Sequence, residues 1–439
     1  MLPHPSAPLS AQLLAAAGAV RAVLSGQSLS DHLGQVPLPL RPAVQALSFH
    51  AMRHLGYARG AMLALVPREP GDPLVRALLL LGLCLMEASL ARTDDRAPGP
   101  GTPIYPPHTL VHQLVEAAAG ERRCRPAKGL LNAVLRRYAR ERTAVAAQVI
   151  AQPEACWNHP EWWISTIREA WPDHWQDILQ AAQRPPPLAL RANSRAVTRE
   201  ALQSHLRAAG LDCHAVGAEG LILESPQPVR DIPGYDLGWW SVQDPSAQRA
   251  GHLLPLADGQ RVLDACAAPG GKTAHLLERH SVRLTALDSD ARRLARVADN
   301  LKRLRLESAN VTLRCADAAH PADWWDGQPY DAILADVPCT ASGVVRRHPD
   351  IRWLRRPDDL ARTAALQAGI VDALWTTLAP GGHLLYATCS IFPQEGERQI
   401  QAFMRRHTDA GRRAAPGHIL PGHDQEGDGF FYALIAKTR

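Results

Sequence analysis

Two cysteines stand where chemistry is plausible. Cys339 closes Asp336-Val-Pro-Cys339, and Cys389 lies in Thr388-Cys389-Ser390; each follows an apolar run that reads as a strand. Four acids, Asp264, Asp288, Asp317 and Asp336, fall at or near the ends of similar runs. In an open α/β sheet the ligand sits outside the carboxyl ends of the strands. A single acid there can be a helix cap; four in register point to one shared ligand site. Two thiols at the same edge suggest nucleophilic chemistry, with thiolate as the active form. A disulfide or a metal-binding pair is the alternative. The remaining cysteines read otherwise. Cys84, Cys124, Cys156 and Cys213 are expected as small buried hydrophobes, and Cys315 as core within its strand. Cys266 lies next to the ligand without an obvious task.

The loop that would place these groups is Asp264-Ala-Cys-Ala-Ala-Pro-Gly-Gly-Lys-Thr273. Arg261-Val-Leu-Asp264 reads as a strand, and Ala274-His-Leu-Leu-Glu278 opens a helical pattern. Strand, glycine turn and helix form the first unit of a nucleotide-type fold, in which glycines let the backbone approach a ligand and the helix N-terminus offers free amides. Cys266 to Thr273 nearly matches a phosphate-binding loop. Cys266 replaces its first glycine, however, and Pro269 removes an amide that phosphates need. Asp288 ends the next strand 15 residues after Thr273, where a carboxylate suits a ribose diol.

Around this loop the chain alternates. Strands are expected at Trp239 to Gln243, Val262 to Asp264, Val282 to Asp288, Val311 to Asp317, Tyr330 to Asp336, His383 to Thr388 and Gly429 to Ala436. Helices fall at Asp290 to Leu304, Asp359 to Thr377 and Gln394 to Arg406. Such alternation predicts a parallel sheet with helices on both faces. Residues 1–145 read as all helical, with apolar spacing over Ala11 to Leu24, Pro42 to Leu55, Pro73 to Leu90, Thr109 to Ala119 and Lys128 to Arg142. Arg92 to Pro107 is a Pro/Gly-rich loop. Residues 146–235 are expected as a connector with a small α/β unit: strands at Leu188 to Ala192, Leu211 to Val216 and Gly220 to Glu224, and a helix at Arg199 to Ala209. Its crowded tryptophans, 157, 162, 163, 171 and 175, read as core. Residues 236–439 form the alternating domain.

The chain has 439 residues, 46% of them hydrophobic, and a net charge of only +5. The longest apolar run, Ala77 to Met86, is too short for a bilayer, which needs about 20 residues. No signal peptide and no C-x-x-C pair are evident, which predicts a reducing, cytoplasmic setting. The 19 histidines show no metal-type spacing, so no metal is expected. Between His108 and Arg142 eight Lys/Arg, among them Arg136, Arg137 and Arg140, face three acids. Arg346, Arg347, Arg352, Arg355 and Arg356 follow Cys339 closely, with Asp350 as the lone acid among them. Either run can be a solvated face or a phosphate-contacting patch; beside an active cysteine, the second run favours phosphate.

Asp264 to Thr273, Asp336-Val-Pro-Cys339 and Tyr386-Ala-Thr-Cys-Ser390 resemble the motifs of RNA cytosine-C5 methyltransferases. Gly343-Val-Val-Arg-Arg-His-Pro-Asp-Ile-Arg-Trp353 and Glu426-Gly-Asp-Gly-Phe-Phe-Tyr432 narrow the likeness to the bacterial small-subunit ribosomal RNA methyltransferase B (Sun/Fmu) family. The resemblance implies a class I, Rossmann-like S-adenosylmethionine-dependent methyltransferase domain behind an all-α NusB-like RNA-binding domain and a small α/β connector. It implies 16S ribosomal RNA as partner, no membrane and no metal, and it leaves the oligomeric state open, with a monomer favoured. By position, Cys266, Ala267, Ala268, Pro269, Gly270, Gly271, Lys272, Asp288, Asp317 and Asp336 match the family's cofactor-binding residues. Cys389 matches the nucleophile and Cys339 the cysteine that assists product release. Val337 and Ala318 depart from the usual alanine and glycine. The implied reaction is thiolate addition to cytosine C6, methyl transfer to C5, and elimination. In that reaction Asp336 is expected at the cytosine N3/N4 edge, and Lys272 as a positive charge favouring thiolate or as a loop-orienting group. A phosphate-loop ATPase, a non-catalytic RNA-binding relic and a DNA methyltransferase working through Cys339 are the rival readings.

Overall fold

The computed structural model describes residues 7–91, 101–422 and 426–438. The expected loop from Arg92 lies outside the described residues up to Pro100. The chain divides into two compact units. One runs to Gln183 and also contains Arg347–Arg355; the other holds Arg184–Arg346 and Arg356–Arg439.

The first unit is helical. Leu9–Leu24, Arg41–Leu65, Pro73–Ala91, Pro107–Gly120 and Lys128–Ile150 bury a Leu/Ala/Val core. Arg41–Leu65 and Lys128–Ile150 continue past their expected ends, and the unit extends beyond residue 145. The segment after Ile150 is fastened to the helices by Asn158, whose φ is +52°. Its side chain accepts from the Gly56 amide at 2.7 Å and donates to the Met52 carbonyl at 3.0 Å. Close approach requires Gly56 there: a Cβ would lie 2.3 Å from the Glu154 carbonyl oxygen. Of the five tryptophans read as core, only Trp163 is fully buried; the other four are half-buried. Pro73–Ala91 is, by length and apolarity, long enough to cross a membrane, a reach the ten-residue run did not suggest; 72% of its apolar window is packed inside the protein.

The second unit contains two sheets. The small one has the order β2-β3-β1-β4, all antiparallel neighbours, with β1 Leu188–Ala192, β2 Cys213–Val216, β3 Gly220–Leu223 and β4 Trp240–Val242. Strand β4 was expected in the large sheet. Instead Val242 pairs with Leu190, so a boundary at 235 cuts through the small sheet. The large sheet comprises β5 Arg261–Ala265, β6 Arg283–Asp288, β7 Val311–Cys315, β8 Tyr330–Asp336, β9 Leu378–Thr388, β10 Ala410–Ile419 and β11 Phe430–Lys437. Its order is β10-β11-β9-β8-β5-β6-β7. Strands β5 to β9 run parallel, whereas β11 and β10 add antiparallel, making the sheet mixed rather than parallel throughout. The central strands are apolar and buried because helices cover both faces. Their register brings Ala265, Asp288 and Asp336 to the same carboxyl edge.

Candidate active site

Strand β5 delivers the chain into a tight loop. Cys266 takes φ +62°, the Ala268–Pro269 bond is cis, and Gly270 takes φ +94°. A Cβ on Gly270 would meet Val297 at 3.0 Å, so both its conformation and its surroundings call for glycine. The helix Gly271–Arg279 follows at once, and Thr273 Oγ1 donates to Asp264 Oδ2 at 2.6 Å. Asp264 is fully buried. Burial lifts its pKa to about 7, and the nearby Asp336 charge adds to the lift while the Thr273 bond opposes it. It locks the loop from inside and does not line the cavity at the sheet edge, contrary to its expected place among the ligand-facing acids.

That cavity, about 390 Å³, is bounded by Cys266, Ala268, Asp288, Asp317, Asp336, Cys339 and Cys389, with apolar walls from Leu287, Val337, Leu366 and Ile370. Ala267, Pro269, Gly270, Gly271 and Lys272 shape the loop behind it without lining it. Asp288 is 2% exposed and held by amides: Ala268 donates to Oδ2 and Asp290 to Oδ1, each at 3.1 Å. Arg293 stands 3.6 Å from the same carboxylate. Asp317 is half-exposed and accepts from the Ala319 amide at 2.9 Å. Asp336 receives the Lys272 ammonium at 2.7 Å. Burial pulls the Lys272 pKa down, but the Asp336 carboxylate outweighs it, and the net shift is upward. Burial, with the neighbouring carboxylates, pushes the Cys266 thiol up; it is inert at neutral pH.

The sulfurs of Cys339 and Cys389 lie 3.4 Å apart. The hydrogen bond with Cys389, reinforced by burial and the Glu395 charge, raises the Cys339 pKa well above the thiol range. Glu395, fully buried, organises both cysteine loops. Its carboxylate accepts from the Thr340 amide at 2.8 Å, the Thr340 hydroxyl, and the Ser390 hydroxyl at 2.5 Å. Ser390 also contacts Ser342 at 2.9 Å, and Gln367 donates to the Pro338 carbonyl at 2.8 Å. The Gly343 amide donates to the Cys389 carbonyl at 2.9 Å. No spacing rule reveals Glu395, which the sequence presents only as the start of a helix. A hydroxyl directly after each cysteine, Thr340 and Ser390, was the available signal.

Two other expectations fail. Two of the five arginines after Cys339, Arg346 and Arg352, are buried and cannot serve as a phosphate patch. Arg346, 8% exposed, is paired with Asp428 and donates to the Glu426 carbonyl at 2.6 Å. Arg352, fully buried, donates to the carbonyls of Ala182 at 2.7 Å and Asn158 at 3.2 Å. Cys156 and Cys315 are exposed rather than buried, Cys315 because β7 is an edge strand.

Residues 251–436 match the family described as 16S rRNA methyltransferase RsmB/F, and residues 159–230 match the ferredoxin-like domain of RsmF/B-like methyltransferases. The ribosomal RNA small subunit methyltransferase B of Vibrio cholerae is 40% identical over 438 residues, covering 96% of either chain. Among solved structures, PH0851 matches with a TM-score of 0.78 over 98% of this chain and 99% of its own, at 23% identity, a likeness of fold. A methyltransferase homologue from Pyrococcus horikoshii, 26% identical, matches with a TM-score of 0.56 over 65% of this chain and 97% of its own.

Proposed function

The chain belongs to the RsmB/F family of 16S rRNA methyltransferases and is S-adenosylmethionine-dependent, and from that premise we propose that it methylates C5 of a cytosine through a covalent cysteine adduct. The observation that carries this reading is the pair of cysteine sulfurs 3.4 Å apart on the wall of the cavity that Asp288 and Asp336 also line.

The residues present fit the cofactor. The cavity is of small-molecule size. Asp288 offers an amide-anchored carboxylate for a ribose diol, and Cys266, Ala268 and Asp317 border the same space. When bound, S-adenosylmethionine supplies the methyl group as an electrophile. The protein's task is to make cytosine C5 a nucleophile, which an unactivated ring is not. Cys389, as thiolate, adds to C6 and leaves C5 enamine-like. Cys339 enters this step as a thiol, consistent with its raised pKa. Once Cys389 is a thioether, its charge no longer opposes ionisation of Cys339. Cys339 can then act as base for the C5 proton, after which the Cys389 thiolate departs and the ring is restored. Asp336, held by Lys272, is assigned to the N3/N4 edge of the base, supported by its place at the cavity wall. The target base must leave its stack to reach these groups.

We assign the helical unit to RNA binding, with Arg136, Arg137 and Arg140 on the exposed face of Lys128–Ile150 as phosphate contacts. We assign the enzyme to the cytoplasm, in keeping with an rRNA substrate. Bisulfite mapping of 16S rRNA from cells with and without the gene tests the reading: one cytosine should lose its protection when the gene is absent. A methyl group found on another atom or base would overturn it.

A further inference from the structure

Two histidines that show no metal-type spacing in the sequence meet a carboxylate in space. Glu219 sits in the turn between β2 and β3, His252 on the helix Ala250–Leu253, and His275 on the helix Gly271–Arg279. One ligand atom from each lies within 4.8 Å of the others. Glu219 Oε2 is 2.7 Å from His252 Nε2 and 3.8 Å from His275 Nε2. Tetrahedral zinc with bonds of about 2.0–2.2 Å sets its ligand atoms about 3.3 Å apart, between the two observed spacings. The remaining spacing is up to 4.8 Å, so the side chains would close on the ion by about an ångström or more.

His275 supplies the independent observation. Its side chain is 1% exposed, and neither ring nitrogen has a hydrogen-bond partner. Buried polar atoms are rarely left so. The ring rests against Gly251, where a Cβ would come within 2.3 Å of it. Arg279 donates to Glu219 Oε1 at 2.8 Å, fixing that carboxylate and leaving Oε2 on the side of the two imidazoles. A plain Glu219–His252 ion pair would leave His275 Nδ1 without a partner and Nε2 no closer than 3.8 Å to Glu219.

We infer that Glu219, His252 and His275 form a zinc site, with two imidazole nitrogens and one carboxylate oxygen as ligands and water in the fourth position. The half-exposed His252 side of the cluster gives that water access. Two His and one carboxylate suit zinc among the first-row divalent ions. The site would clip the β2–β3 turn to the helix that starts at Gly271, one turn beyond Lys272, and so steady the base of the loop without touching the reacting atoms.

The test is cobalt(II) and zinc titration of the untagged full-length protein beside its Glu219→Gln and His252→Ala variants. The inference expects one equivalent bound, visible cobalt bands with no thiolate charge-transfer band, and affinity lowered roughly tenfold or more in each variant. His252 is partly exposed and Glu219→Gln keeps its volume, so both should fold, with circular dichroism as the check. The absence of one-to-one binding, affinity unchanged in both variants, or a thiolate charge-transfer band from cysteine ligation would each overturn the assignment.

Discussion

Two arginine-rich stretches look alike on paper and end in opposite environments. On the helix Lys128–Ile150, Arg136, Arg137 and Arg140 are exposed; Arg136 contacts Asn132 and Arg137 pairs with Glu141 at 2.9 Å. After Cys339, Arg346 and Arg352 are buried and spend their donors on carbonyls and on Asp428. The difference lies in periodicity. Arg136 and Arg140 share one side of a long amphipathic helix whose opposite side, Leu131, Leu135 and Tyr138, is core. The 346–356 stretch has only the four-residue helix Ile351–Leu354, so no regular face turns its charges outward. A run of charge therefore predicts a nucleic-acid surface only when a regular element presents it.

The contrast can be broken by mutation. Arg352→Ala should have the largest effect on stability, about 3 kcal/mol or more, because buried carbonyls of Asn158 and Ala182 lose their donors. Urea denaturation checks it; a loss below about 1 kcal/mol would put Arg352 back among dispensable surface charges. Replacing Arg136, Arg137 and Arg140 together with glutamine should change stability by no more than about 0.5 kcal/mol per site. The same variant should flatten the salt dependence of RNA binding by about two units of slope. An unchanged slope would return this helix to a solvated face.

Buried and exposed charge can also be separated by pH. The folded pKa of Asp264 is about 7, against about 3.9 for a free aspartate. Its burial is thus free of cost only below about pH 4 and destabilises increasingly as pH rises toward 7. Asp264→Asn can still accept from Thr273 but cannot ionise. Its urea midpoint should gain on the wild type across that window. Parallel pH curves for the two proteins would contradict the buried-acid account.

Most of the large sheet was legible because central parallel strands are short apolar runs. Tyr330–Asp336 falls where its sequence says it should. Strand β10, Ala410–Ile419, was missed: it is a half-exposed edge strand carrying two arginines and a proline. Strand β4 was recognised but assigned to the wrong sheet, since a three-residue strand does not encode its partner. At the site, residues with distinctive chemistry and motif positions, Asp288, Asp336, Cys339 and Cys389, could be read directly and converge on one cavity. Glu395 could not, because its role comes from burial beneath two loops 50 residues apart. The Glu219, His252 and His275 group escaped for the same reason: three separate elements bring it together.

The central claim is the division of labour between the paired thiols, and one comparison tests it most directly. Cys339→Ala and Cys389→Ala are each incubated with 16S rRNA and S-adenosylmethionine, then run on a denaturing gel with thiol reductant. Cys339→Ala should accumulate a reductant-resistant protein–RNA adduct, since attack proceeds while elimination stalls. Cys389→Ala should give neither adduct nor methylated RNA. An adduct from Cys389→Ala and none from Cys339→Ala would reverse the roles, and full methylation by both variants would contradict the thiol mechanism itself.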